Sequence, residues 1–174
     1  NFIQNNRFDR GSNLSLWHAL GVLKRGQPVL FMDADVLYAP ALLDNLLSET
    51  DKTVVPYDTG FELDEEPVKV CLRDGKVVDF GKIVGQSYDT VGEWPGFMRF
   101  SPAAAQFVAN SLDHQVKAGE INAPCEDSFK SMILATHADE IEFHDVVGIP
   151  WIEIDFPWDI KRAQQIIAPR IEMP

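Results

Sequence analysis

The sequence predicts an α/β domain: a parallel sheet that carries an antiparallel β insertion. Short apolar runs at 28–32 and 53–55 bracket a segment of helical period, and a strand, helix and strand in succession make a βαβ unit. Between residues 60 and 92 the pattern changes. Residues 68–72 and 77–80 flank Asp74-Gly75, a pair suited to a tight hairpin turn because both central positions need positive φ. The 174 residues are one domain's worth of chain, and 45% of them are apolar, enough for a full core.

The elements follow in order. Ser12 or Asn13 reads as a helix N-cap, with Leu14, Trp17, Leu20, Val22 and Leu23 at helical spacing until Gly26 ends the helix. Residues 28–32 form a strand. Ala39-Pro40 opens the next helix, in which Leu42/Leu46 and Leu43/Leu47 stand four apart. The strand at 53–55, the hairpin and a strand at 97–100 come next. Ser101-Pro102 starts an amphipathic helix whose apolar face holds Ala104, Phe107, Val108 and Leu112. A helix over 126–135, strands at 141–143 and 151–154, and a helix from 155–157 to about 167 complete the chain. Nothing reads as a repeat or a linker, so residues 1–174 are a single domain. The chain starts with Asn-Phe-Ile-Gln rather than Met, in what reads as the middle of a domain, and a fragment is the expectation.

The net charge is −12 and the acids are scattered. That argues against nucleic acid or an anionic membrane as partner, and a phosphate-rich ligand would need a metal or a local basic group. No apolar run approaches the ~20 residues of a membrane span, and no secretory leader is visible. Cys71 and Cys125 have neither metal-ligand spacing nor a disulfide framework and read as reduced, cytoplasmic thiols. His18, His114, His137 and His144 are too dispersed for a zinc pair. The oligomeric state stays open, a homo-oligomer included.

The chemistry-bearing residues begin where strand 28–32 ends, at Asp33-Ala34-Asp35. Carboxylates just outside the carboxyl end of a strand, with no Lys or Arg beside them, suit a hard cation such as Mg²⁺ with a nucleotide. The alternative is that Asp33 caps a turn and Asp35 is solvated. In residues 151–155, alternation sets Glu153 and Asp155 on the face opposite Ile152 and Ile154. Asp155 is then either the N-cap of the last helix or a second metal ligand opposite Asp35. Gly92-Glu93-Trp94-Pro95-Gly96 allows close backbone approach to a ligand, or is a turn with an exposed indole. Lys82, one of few cations, meets a phosphate or is solvated. Tyr57, Asp58, Glu93, Trp94, Trp158 and Asp159 mix acids with aromatic faces. That suits an ammonium head group through cation–π attraction, core aromatics being the alternative.

Taken in order, Asn13-Leu14-Ser15-Leu16, Met32 to Val36, Gly81-Lys82, Gly92-Glu93 with Gly96, Glu126-Asp127, and Glu153-Ile154-Asp155 with Asp159 and Ala163 resemble the sugar-phosphate-type nucleotidyltransferases. Within that family the pattern is similar to the bacterial phosphocholine and 2-aminoethylphosphonate cytidylyltransferases. The resemblance implies a Rossmann-like, GT-A-like sheet. It implies an enzyme that uses magnesium to transfer a nucleotidyl group from CTP or another NTP to a small phosphorylated amino alcohol or phosphonate, releasing pyrophosphate. It implies Asp35 and Asp155 as metal ligands that form the catalytic set with Lys82, the lysine that meets the acceptor's phosphate. Asn13 and Ser15 would lie beside base and ribose, with Asp33 on the same side. Glu93, with Tyr57, Asp58, Trp94 and Trp158, would form the acceptor pocket. The family's opening strand, its glycine-rich loop containing Arg and a following Pro-Lys are absent, so an N-terminal truncation on the order of 60 residues is expected. The competing readings are a sugar-1-phosphate acceptor, a GT-A-type glycosyltransferase and a non-catalytic nucleotide-binding module.

Overall fold

The computed structural model describes residues 2–47, 50–61 and 67–171. In chain order the elements are α1 (Ser12–Trp17), α2 (Leu20–Leu23), β1 (Val29–Met32), β2 (Val36–Tyr38), α3 (Pro40–Leu46), β3 (Thr53–Tyr57), β4 (Lys69–Arg73), β5 (Lys76–Gly81), β6 (Thr90–Glu93), β7 (Phe97–Phe100), α4 (Pro102–Lys117), α5 (Glu126–Ala135), β8 (Ile141–Asp145), β9 (Trp151–Glu153) and α6 (Pro157–Arg162). A π-helical turn, Ala163–Ile167, and α7 (Ala168–Ile171) follow.

The central sheet has the order β1-β7-β3-β8. Strands β3 and β8 are the parallel neighbours, in register from Thr53↔Ile141 to Tyr57↔Asp145. Strands β1 and β3 run the same way, as the βαβ pattern requires, but they are not neighbours. Strand β7 lies between them, antiparallel to both. The excursion after β3 explains this. Asp58 and Glu93 exchange backbone hydrogen bonds of 2.8 and 2.9 Å, which closes the excursion at the end of β3 where it began. The chain can then only set off back down the sheet.

The excursion contains the expected hairpin. Asp74 (φ 52°) and Gly75 (φ 72°) join β4 to β5, and β6 adds to β4 to give a three-stranded antiparallel sheet. Residues 62–66 of the expected insertion lie outside the described residues. A separate ribbon pairs β2 with β9.

Residues on β3 alternate between two apolar layers. Val54 packs on the α3 side with Leu42, Leu46 and Phe97, and Val55 on the side of α4 and α5 with Phe100, Leu112, Phe129 and Met132. Burial on both faces is why β3 reads as a continuous apolar run. Ser101 caps α4, its hydroxyl accepting from the Ala104 amide at 3.2 Å.

Two local expectations are corrected. Phe107 is 40% exposed, and Ala105 and Ala109 take the buried face of α4 with Ala104, Val108 and Leu112. A helix that lies close to its neighbours selects small side chains there. The first helix breaks into α1 and α2, and Gly11 rather than Ser12 or Asn13 holds its N-cap position. The Ser12 hydroxyl instead accepts from the Cys125 amide at 2.9 Å, and a Cβ on Gly11 would fall 2.3 Å from the Ala123 carbonyl oxygen. Tertiary docking has displaced the local cap. Among the described residues no helix is long and apolar enough to cross a membrane.

Candidate active site

The β2–β9 ribbon creates the site. Val36 pairs with Glu153, and the Ile154 amide donates to the Asp35 carbonyl at 2.9 Å. That register brings the acids after β1 against the acids after β9, although about 120 residues separate them in sequence. Asp35, Glu153 and Asp155 each offer a carboxylate oxygen, and these oxygens lie within 4.8 Å of one another. It is the one such group found among the described residues. Three convergent carboxylates without sulfur or imidazole are the donor set of a hard cation, Mg²⁺ or Mn²⁺, and so fit the expected metal.

Phe156, rather than Asp155, holds the N-cap position of α6. The Asp159 carboxylate accepts from the Phe156 amide at 2.8 Å and from the Asp155 amide at 3.2 Å, so the first turn of α6 is capped from within. Asp159 is 8% exposed. The N-cap position expected of Asp155 falls one residue further on, at Phe156.

A cavity of about 570 Å³ opens beside the carboxylates, with Asp58, Lys82, Glu93, Glu153, Asp155 and Trp158 in its wall. Its electrostatics are unusual because acids outnumber cations in a partly dry space. Burial, then the charges of Glu153 and Asp58, push the Glu93 carboxyl up to about 7, with Arg162 and Lys69 pulling it back. Burial, then Asp155 and Asp35, raise Glu153 to about 6, and Lys82 opposes this. Asp58 is fixed on both oxygens, one accepting from the Trp151 indole at 2.8 Å and the other from the Gly60 amide at 2.8 Å. Trp158 is 60% exposed and stacks on Phe156, with ring centroids 4.5 Å apart and an angle of 12° between planes. An aromatic face thus stands at the rim of an acidic hollow.

Asp33 sits one step behind. Its amide donates to the Gly96 carbonyl at 2.9 Å, and a Cβ on Gly96 (φ 79°) would fall 2.7 Å from its Oδ2. Glycine is required there on both counts. Burial, then Asp35, Glu126 and Glu153, raise the Asp33 carboxyl to about 7.

The structure therefore gathers Asp35, Asp155, Lys82, Asp58, Glu93 and Trp158, and leaves the other candidates elsewhere. Trp94 is 5% exposed in the core, among Phe31, Phe80 and Phe129, with its indole N–H donating to the Phe97 carbonyl at 2.7 Å. Its ring face is not available to a ligand, and the expectation of a cation–π wall is corrected at this position. Tyr57 is half-buried against Gly92, where a Cβ would meet its ring at 2.6 Å, and it does not line the cavity. Asn13 is buried between α1 and α4 and donates to Gln115 Oε1 at 2.9 Å. Ser15, exposed on α1, accepts from Asn5 at 3.0 Å. Neither lines this cavity.

Sequence reasoning missed Glu153 as the third convergent acid and Asp159 as the cap. Both had a signal: Glu153 shares the alternating face of Asp155, and Asp159 stands at the third position of a helix opened by Pro157.

No family model matches the chain, and no curated protein does. Solved structures do. The inositol-1-phosphate CTP transferase from T. maritima is 18% identical with a TM-score of 0.62, over 89% of this chain and 60% of that one. The CTP:phosphocholine cytidylyltransferase from Streptococcus pneumoniae is 16% identical with a TM-score of 0.68, over 93% and 66%. A protein assigned as a glucose-1-phosphate thymidylyltransferase from Bacillus anthracis is 9% identical with a TM-score of 0.66, over 95% and 63%. This chain has the nucleotidyltransferase fold, as its motif order suggested, and spans 60 to 66% of the length of these three proteins.

Proposed function

We propose that the protein to which this chain belongs transfers a nucleotidyl group, from CTP in preference to other NTPs, to a small phosphorylated amino alcohol or phosphonate, with release of pyrophosphate. The observation that carries the reading is the convergence of Asp35, Glu153 and Asp155 beside a cavity that also holds Lys82, Asp58 and Glu93. The fold supports the reaction class. Residues beyond these 174 are proposed to hold the triphosphate, in keeping with the share of the neighbours' length that the chain spans. Two buried free thiols, Cys71 and Cys125, fit a reducing compartment such as the cytoplasm.

The mechanism follows from the groups present. The acceptor's phosphate oxygen is already anionic, so no general base is needed, and catalysis is positioning plus charge stabilisation. Asp35, Glu153 and Asp155 would hold magnesium, which supplies charge neutralisation and Lewis-acid polarisation of phosphate oxygens when bound. Lys82 opposes the charge of the acceptor's phosphate from the cavity wall. Asp58 and Glu93 attract an ammonium group to the other end, and the exposed Trp158 offers it an aromatic face.

The test is Mg²⁺-dependent pyrophosphate release from CTP, using the protein expressed from its natural start codon. Phosphocholine, 2-aminoethylphosphonate and glucose 1-phosphate are supplied in parallel. Release with an amine-bearing acceptor is expected. Release with glucose 1-phosphate alone would keep the transfer and remove the ammonium pocket. Formation of a nucleoside diphosphate from a nucleotide sugar would replace the reading by glycosyl transfer. Mg²⁺-dependent CTP binding without turnover would replace it by a binding module.

A further inference from the structure

One buried charge outside the cavity is unaccounted for by this chemistry. Asp79, on β5, is 2% exposed and lies three residues before Lys82. Its Oδ1 accepts from the Phe80 amide at 2.9 Å and pairs with the Lys130 ammonium of α5 at 2.5 Å. Its Oδ2 accepts from two successive amides further along, Gly85 at 2.8 Å and Gln86 at 3.1 Å. Burial by itself would raise this carboxyl, but Lys130 and the three amides outweigh it and hold the group below its usual value. Asp79 is therefore charged throughout the neutral range.

The two Oδ2 contacts fold residues 81–86 back onto β5. A second clamp acts on the same turn: the Lys69 ammonium donates to the Lys82 carbonyl at 3.4 Å and to the Pro67 carbonyl at 3.5 Å. Gly81 leaves the strand at φ 133°, a conformation that side-chain-bearing residues avoid. The turn has little apolar anchorage, since Ile83 at its tip is 90% exposed. Polar clamps on either side of Lys82 thus set its backbone, and Lys82 is in the cavity wall.

We propose that Asp79, paired with Lys130, is the positioning residue for Lys82: it shapes the turn that delivers the Lys82 ammonium to the cavity. Asp79 touches no substrate. The inference rests on the transfer reading for its kinetic consequence and on geometry alone for its structural one.

The experiment compares wild type, Asp79→Asn, Lys82→Ala and the double variant in the full protein. Asp79→Asn is expected to raise the acceptor KM about tenfold, leave the CTP KM within about twofold, and add nothing once Lys82 is alanine, because effects transmitted through one group are not additive. A merely structural aspartate would lower the melting temperature, move both KM values together and act equally in the Lys82→Ala background, and that result would overturn the proposal. Amide hydrogen exchange gives a readout independent of turnover. Gly85 and Gln86 should exchange at least about tenfold faster in Asp79→Asn while β3 and β7 keep their protection. Unchanged exchange at these two amides would refute the clamp. An inert wild type would defeat the transfer reading in the first assay, and the exchange result would then decide the clamp. Should Asp79→Asn fail to fold, Asp79→Asn/Lys130→Gln, which also removes the half-buried ammonium that Asp79 neutralises, is read by the same criteria.

Discussion

Replacing Glu93 by Gln is the sharpest perturbation of the cavity. With its carboxyl raised to about 7, Glu93 is about half ionised at neutral pH. The sign follows directly: attraction for an ammonium-bearing acceptor is present above about pH 7 and is lost as pH falls through that value. For one competing proton, the acceptor KM scales as one plus the ratio of proton concentration to the acid constant. It should rise about tenfold from pH 8 to pH 6. Glu93→Gln removes the charge at every pH. For an acceptor whose ammonium carries N–H, such as 2-aminoethylphosphonate, a charge-assisted hydrogen bond contributes about 1.5–3 kcal/mol, so the variant's KM for it at pH 8 should be about 10- to 150-fold above wild type and nearly flat with pH. The assay is initial-rate pyrophosphate release against acceptor concentration at pH 6, 7 and 8. The acceptor's phosphate or phosphonate itself titrates near pH 6, so glucose 1-phosphate is run beside 2-aminoethylphosphonate to separate that common contribution. A pH slope that survives in Glu93→Gln, or an equal rise in the CTP KM, would refute the ammonium pocket.

Three further outcomes are expected. Asp35→Asn and Asp155→Asn should each lower kcat by about 10²- to 10³-fold with no fall in melting temperature at pH 8, since each relieves like-charge crowding; unfolding of either variant would count against a ligand role. Trp94→Ala should cost about 3–5 kcal/mol in denaturant titration while the acceptor KM of the folded protein stays unchanged, as befits a core indole. In cation-free buffer the protein should melt higher at pH 5.5 than at pH 8. Asp33 and Glu93, raised to about 7, and Glu153, raised to about 6, bind protons more tightly folded than unfolded, so stability rises as pH falls through these values. Millimolar Mg²⁺ should narrow the gap by stabilising the pH 8 form, and a higher melting point at pH 8 without cation would contradict the carboxyl cluster.

The elements with the strongest local chemistry were legible from residues alone. Asp74-Gly75 adopts the positive φ pair its composition calls for, Pro40 opens α3, and 126–135 is helical to its predicted ends. The acids at 33, 35 and 155 stood out because strand ends are where an α/β sheet presents carboxylates. Less legible was any residue whose role depends on a neighbour far along the chain. Trp94 lies between two glycines in an acidic segment, which reads as a turn at a ligand. Three phenylalanines from β1, β5 and α5 surround it, and their convergence has no local signature.

What the sequence by itself determined is the inventory: an acidic α/β chain, its turns, its helices, and carboxylates at the ends of two strands. Periodicity, φ preferences and capping act over a few residues, so they can be read without a fold. The tertiary structure alone decided the company each group keeps. The β2–β9 register sets Asp35 against Glu153 and Asp155. The Asp58–Glu93 closure forces β7 to run antiparallel in the sheet. Lys82, just after β5, and Glu93, the last residue of β6, come to one cavity. Those pairings depend on which strands meet, and the energy that selects them is distributed over the whole buried core rather than written in any one segment.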